Sequence, residues 1–83
     1  MTENVSNAPR GFFLNAERVG RGIRLIVGSV IAVSEITEKE ILLVSHGARI
    51  RVIGDNLELS LFEERAVEVC GRVREVLFLY GKN

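Results

Sequence analysis

The sequence predicts an all-β fold: one small domain of about six short, mainly antiparallel strands behind a flexible N-terminal tail. Two observations carry this. Within Ala48–Tyr80 three runs of apolar and polar residues alternate with a period of two, and successive side chains of a strand point to opposite faces. The apolar runs of the chain are separated, at a spacing of roughly ten residues, by short breaks such as Gly28-Ser29, Glu38-Lys39, His46-Gly47 and Gly54-Asp55-Asn56. Such breaks supply the residues that reverse or kink a strand. A chain of 83 residues allows one domain with a thin core. The boundaries expected are residues 1–22 for a tail or docking segment and 23–83 for the β-domain.

Met1 to Arg10 is polar and reads as tail. Gly11-Phe12-Phe13-Leu14 then places three apolar residues in a row, either packed on the domain or docked on another subunit or a membrane partner. In Asn15 to Gly22, Asn15 suits the cap of one helical turn, and Gly20 and Gly22 forbid a longer helix. Strands are expected at Ile23–Val27 and Val30–Ile36, the latter rich in β-branched residues. Ile41-Leu42-Leu43-Val44 suits a strand buried on both faces. Strands at Arg49–Ile53 and Leu57–Phe62 flank Gly54-Asp55-Asn56, which is expected to form a tight hairpin turn with a residue at positive φ. The last strand starts at Val67 and changes parity: Val67, Val69 and Val73 precede Val76, Phe78 and Tyr80. A strand moves its core face only by gaining a residue, so a β-bulge is expected near Arg74-Glu75. The alternative is that Leu77 and Leu79 continue the original face and Val76, Phe78 and Tyr80 form a second apolar one.

Both faces of these strands carry apolar residues. Ile50, Val52, Leu57, Leu59, Leu61, Val67 and Val69 form one set. Ile53, Phe62 and Cys70 lie opposite, with Ile26, Ile31 and Val33 upstream. A single flat sheet cannot cover both, so the sheet is expected to curl toward a barrel or to be covered by a neighbour. If the hairpin is regular, Ile53 and Phe62 are cross-strand neighbours and form one patch with Cys70. Phe12, Phe13, Leu14, Ile53, Phe62 and Cys70 are therefore the candidate interaction residues.

No catalytic, cofactor or metal signature is present. His46 is the only histidine and Cys70 the only cysteine, too few for a metal cluster. Cys70 reads as a small buried hydrophobe and His46 as a solvated turn residue. Glu63-Glu64 solvates a turn. Gly20-Arg21-Gly22 superficially resembles a phosphate-binding loop but lacks the Gly-Lys-Ser/Thr ending and a predicted strand before it. Two arginine pairs, Arg49 with Arg51 and Arg72 with Arg74, each place two guanidinium groups on one strand face. If the strands are close, four cations converge on a phosphate or acidic partner. The favoured reading is that Glu58, Glu68 and Glu75 neutralise them across strands. Eleven basic and eleven acidic side chains give zero net charge, against a dominantly electrostatic role. Neutrality also leaves little repulsion to oppose self-association.

Ile23 to Tyr80 resembles the YabP/YqfC family of bacterial sporulation proteins. The resemblance rests on the strand ending at Gly28, Thr37-Glu38-Lys39-Glu40, Ile41-Leu42-Leu43-Val44, Gly47, Ile50 through Gly54, Asn56-Leu57-Glu58-Leu59, and Val67 through Val73 around Gly71. It implies a non-enzymatic, strand-rich protein of endospore formation, with no catalytic residues to carry over and with partners that are membrane proteins of the sporulating cell. Phe12-Phe13-Leu14 lies outside the pattern. The expected protein is a homo-oligomer or the partner of such a membrane protein, acting through a sheet edge and an apolar patch, without cofactor or small-molecule substrate. The alternative is a small Sm-like or OB-like nucleic-acid-binding barrel using the paired arginines; few aromatic residues speak against it. No run approaches the ~20 apolar residues of a membrane-spanning helix, no signal peptide is recognisable, and a lone cysteine suits a reducing compartment. The expected location is cytoplasmic, including the cytoplasmic face of a membrane.

Overall fold

The computed structural model describes residues 13–80. Six strands account for nearly all of them: β1 (Leu14–Val19), β2 (Gly22–Gly28), β3 (Val30–Ile36), β4 (Glu40–Ser45), β5 (Ala48–Glu63) and β6 (Ala66–Tyr80). All neighbours are antiparallel, and the sheet runs in the order β1-β2-β6-β5-β4-β3. It is open, with β1 and β3 at its two ends.

The link between β2 and β3 dictates the shape of the sheet. Ser29 alone joins them, yet β2 and β3 are separated by β6, β5 and β4. Laid flat, four strand spacings would span about 19 Å. From Gly28 to Val30 the chain reaches only about 7 Å. The sheet must therefore roll until β3 returns beside β2. Ser29 makes the corner at φ 65°, and two bonds hold it. The Val30 N–H donates to the Arg65 carbonyl at 2.9 Å, and the Ser45 hydroxyl donates to the Ser29 carbonyl at 2.8 Å.

The two longest strands bend together to allow this. β5 pairs with β4 only through Ala48–Ile53, and β6 pairs with β2 only through Ala66–Gly71. One wing of the sheet is β1, β2, the first half of β6 and the second half of β5. The other is β3, β4, the first half of β5 and the second half of β6. The bend lies where Gly54 and Gly71 bring the two strands close. A Cβ on Gly54 would collide with the Arg72 carbonyl, and one on Gly71, at φ 144°, would meet the Asn56 carbonyl at 2.7 Å. Only glycine fits such an approach. Backbone groups displaced by the bend find partners in the β3–β4 turn. The Gly54 and Leu57 N–H groups donate to the carbonyls of Lys39 and Glu38 at 3.1 and 2.8 Å, as buried backbone requires. The turn itself is pinned by the Thr37 hydroxyl, which accepts from the N–H groups of Lys39 and Glu40.

One core results, filled from both wings. Leu25, Val27, Val67 and Val69 from the first meet Ile41, Leu43, Ile50 and Val52 from the second, and Leu57 joins them at the bend. The sheet thus covers its own inner face by curling. The bulge expected near Arg74-Glu75 is present: Ile53 pairs with Glu75 and Gly54 with Val73, which leaves Arg74 as the extra residue of β6.

Three expectations are corrected. Gly54-Asp55-Asn56 does not reverse the chain; β5 runs through it as one bent strand, although Asn56 does adopt φ 54°. Turn and bulge ask for the same residues, and here tertiary pairing selected the bulge. The expected cross-strand relation of Ile53 and Phe62 falls with it, because both lie on β5. Asn15 to Gly22 is not a capped helical turn but most of β1 and the β1–β2 hairpin, so the sheet begins at Leu14, inside the segment read as tail. Pairing to β2 outweighs the weak local preference.

Candidate functional site

The candidate interaction residues do not form one patch. Ile53 is half-buried and pairs with Glu40 and Glu75 in the second wing. Cys70 lies on the outer face of the first wing, between Glu58 and Arg24. Phe13 and Leu14 pack on their own domain: the Phe13 ring occupies the space beside Gly28, its carbonyl accepts the Gly28 N–H at 2.9 Å, and Leu14 packs against the core. Phe12 and the Phe62 side chain lie outside the described residues.

Cys70 is half-buried rather than part of the core. Its thiol donates to Glu68 Oε2 at 3.3 Å. Burial raises its pKa, and the hydrogen bond and negative charge of Glu68 add to the rise, outweighing the opposing effect of Arg24. Both push toward the inert thiol. Arg24 bridges Glu17 at 3.3 Å and Glu68 at 3.5 Å, so the outer face of this wing is a neutralised charge ladder.

An apolar surface does exist on the outer face of the second wing. Across the strands, Leu42, Arg51 and Leu77 form one row, and Val44, Arg49 and Leu79 the next. Leu42 and Val44 are half-buried, and Leu77 and Leu79 are 38% and 44% exposed. The stems of the arginines in each row extend this surface. It runs to an edge of the sheet. From Arg72 onward β6 pairs with β5 alone, and no other strand among the described residues pairs with that half of β6.

The two arginine pairs do not converge. Arg51 pairs opposite Leu77 while Arg72 pairs opposite Asp55, at another level of the same ladder. Nor are they neutralised by Glu58, Glu68 and Glu75 as the alternation suggested. Arg51 Nε lies 2.8 Å from Glu40, and Arg74 Nε 3.7 Å from Asp55, which also meets Lys39 at 3.5 Å.

Instead, Arg72 and Arg74 share a groove with Arg18 and Arg21. It has a volume of about 320 Å³ and is completed by Gly22, Ile23 and Val73. The β1–β2 hairpin supplies Arg18 and Arg21, and the bend of β6 supplies Arg72 and Arg74. Gly22 lets the two approach; a Cβ there would meet the Gly71 carbonyl at 2.7 Å. Sequence reasoning missed Arg18 and Arg21. The available signal was Gly20-Arg21-Gly22, set aside partly for lack of a preceding strand, which β1 provides.

Among the described residues no group of three or more His, Cys, Asp or Glu could hold a metal ion, and no helix is long and apolar enough to cross a membrane. No family model matches the chain, and no curated protein or solved structure matches it.

Proposed function

We propose that this chain is a non-enzymatic interaction protein that assembles through the second half of β6. The observation that carries the reading is the exposure of Leu77 and Leu79 on a half of β6 that, among the described strands, pairs with β5 alone. The end of a sheet is where a further strand can add, and an adjoining apolar surface rewards its burial. Zero net charge leaves little repulsion between copies, so the first occupant is a second copy of the chain, paired edge to edge about a two-fold axis. The resemblance of Ile23–Tyr80 to the YabP/YqfC family supplies the setting, endospore formation, with a membrane protein of the sporulating cell as the heterologous partner.

Light scattering over a concentration series tests the assembly. The wild-type chain is expected to form dimers or larger species, and Leu77→Lys with Leu79→Lys to shift it to monomer while circular dichroism stays that of the folded sheet. A wild-type monomer at high micromolar concentration rules out self-assembly. A pull-down from sporulating cells tests the setting; recovery of no sporulation protein counts against it.

A further inference from the structure

We propose that the groove between the β1–β2 hairpin and the bend of β6 is a binding site for a phosphate-class oxyanion, held by Arg18, Arg21, Arg72 and Arg74. These four belong to a chain whose 11 basic and 11 acidic residues cancel, yet no acidic residue lines the groove. Among the described residues no ion pair engages Arg18, Arg21 or Arg72. Arg74 has only a long contact of 3.7 Å to an aspartate it shares with Lys39. Arg24, by contrast, has two carboxylate partners and Arg51 a close one. Here the chain gathers four like charges with a single carboxylate, Asp55, near two of them.

Four guanidinium groups around one groove repel one another, and a bound dianion reverses the sign of that interaction. The fork of arginine donors matches phosphate oxygens two at a time. Glycine spacing explains how the site is assembled. Gly20, at φ 60° with open space beside it, turns the hairpin, and Gly22 brings that hairpin against Gly71. The apolar residues Ile23 and Val73 line the groove as well, which lowers the local dielectric and strengthens each charge-assisted bond. A volume of about 320 Å³ is at the small end of ligand pockets, suited to a phosphate or pyrophosphate group rather than to a large ligand. That group could be carried by an anionic lipid or be free in solution.

The test uses the full chain at physiological salt, with two probes: inorganic pyrophosphate by calorimetry, and vesicles of phosphatidylcholine with or without phosphatidic acid by flotation. Three variants are compared: Arg18→Gln with Arg21→Gln, Arg21→Gln with Arg72→Gln, and Arg65→Gln as a control at the exposed β5–β6 turn. Binding of pyrophosphate, of phosphatidic acid vesicles, or of both is expected, weakened roughly tenfold or more in either groove variant and unchanged in Arg65→Gln. Pyrophosphate binding without flotation assigns a soluble ligand, and flotation without pyrophosphate binding assigns a lipid headgroup. Equal weakening by Arg65→Gln would mean diffuse attraction and overturn the site. Binding of neither probe overturns it too, and single-stranded RNA binding in that circumstance would assign the arginines to nucleic acid instead.

Discussion

Val67 and Val69, in the first half of β6, are 5% and 0% exposed, whereas Leu77 and Leu79, in its second half, are 38% and 44% exposed. The two pairs occupy one strand, at the same spacing. What separates them is neighbourhood. Val67 and Val69 sit between β2 and β5 and face inward. Past Gly71 the partner on one side is gone, and the extra residue at Arg74 turns Val76 inward and Leu77 and Leu79 outward. Alternation in a sequence reports that a strand has two faces. It does not report which face meets the core, or whether an edge is paired.

The largest effect should come from removing the bend that divides the halves. Gly54→Val drives a side chain into the Arg72 carbonyl, backbone that has no room to yield. A loss of about 3 kcal/mol or more is expected, read as a lower urea midpoint. A melting temperature equal to wild type would mean that β5 does not cross β6 there. Next in size is the contrast within β6. Val69→Ala, at a fully buried position, should cost about 2 kcal/mol. Leu79→Ala should change monomer stability by less than about 0.5 kcal/mol and act on assembly instead. Equal costs at the two positions would erase the distinction between core and edge.

The smallest effect concerns Cys70, on the outer face between the buried rows. Its raised pKa keeps the thiol protonated to higher pH, and the thiolate is the nucleophile. Alkylation of the folded protein should therefore lag behind that of the unfolded chain at a given pH, its rate profile displaced to higher pH. Glu68→Gln should move the profile back down by removing a negative neighbour. A folded chain that reacts as fast as the unfolded one would show that burial does not protect the sulfur.

The strands β2, β3 and β4 were legible because β2 alternates, β3 is rich in β-branched residues, β4 is a short apolar run, and each ends in residues that mark its turn. The bulge at Arg74 was legible because a parity change within one run has few other causes. The bend at Gly54 was not, since Gly-Asp-Asn serves a hairpin and a bulge equally well and only pairing with β6 decides between them. β1 was hidden because Asn15, Ala16, Glu17 and Arg18 are all exposed on an edge and carry no apolar stripe. The arginine groove was hidden for a different reason. Arg21 and Arg72 are far apart in the chain, and what joins them is the pairing of Ile23 with Gly71, a register that local patterning does not encode.

The single-residue link at Ser29 also orders the way the molecule comes together. β3, β4, β5 and β6 are a meander whose ladders join consecutive strands, so each can zip from its own turn. β2 finds its partner only at Ala66–Gly71, across the whole meander. Closing that long loop costs entropy before any contact repays it, and contacts distant in sequence slow folding. The meander should therefore form first, with the β1–β2 hairpin docking late. On this ordering the groove of four arginines would be the last part of the molecule to exist, so its ligand would meet only a finished fold.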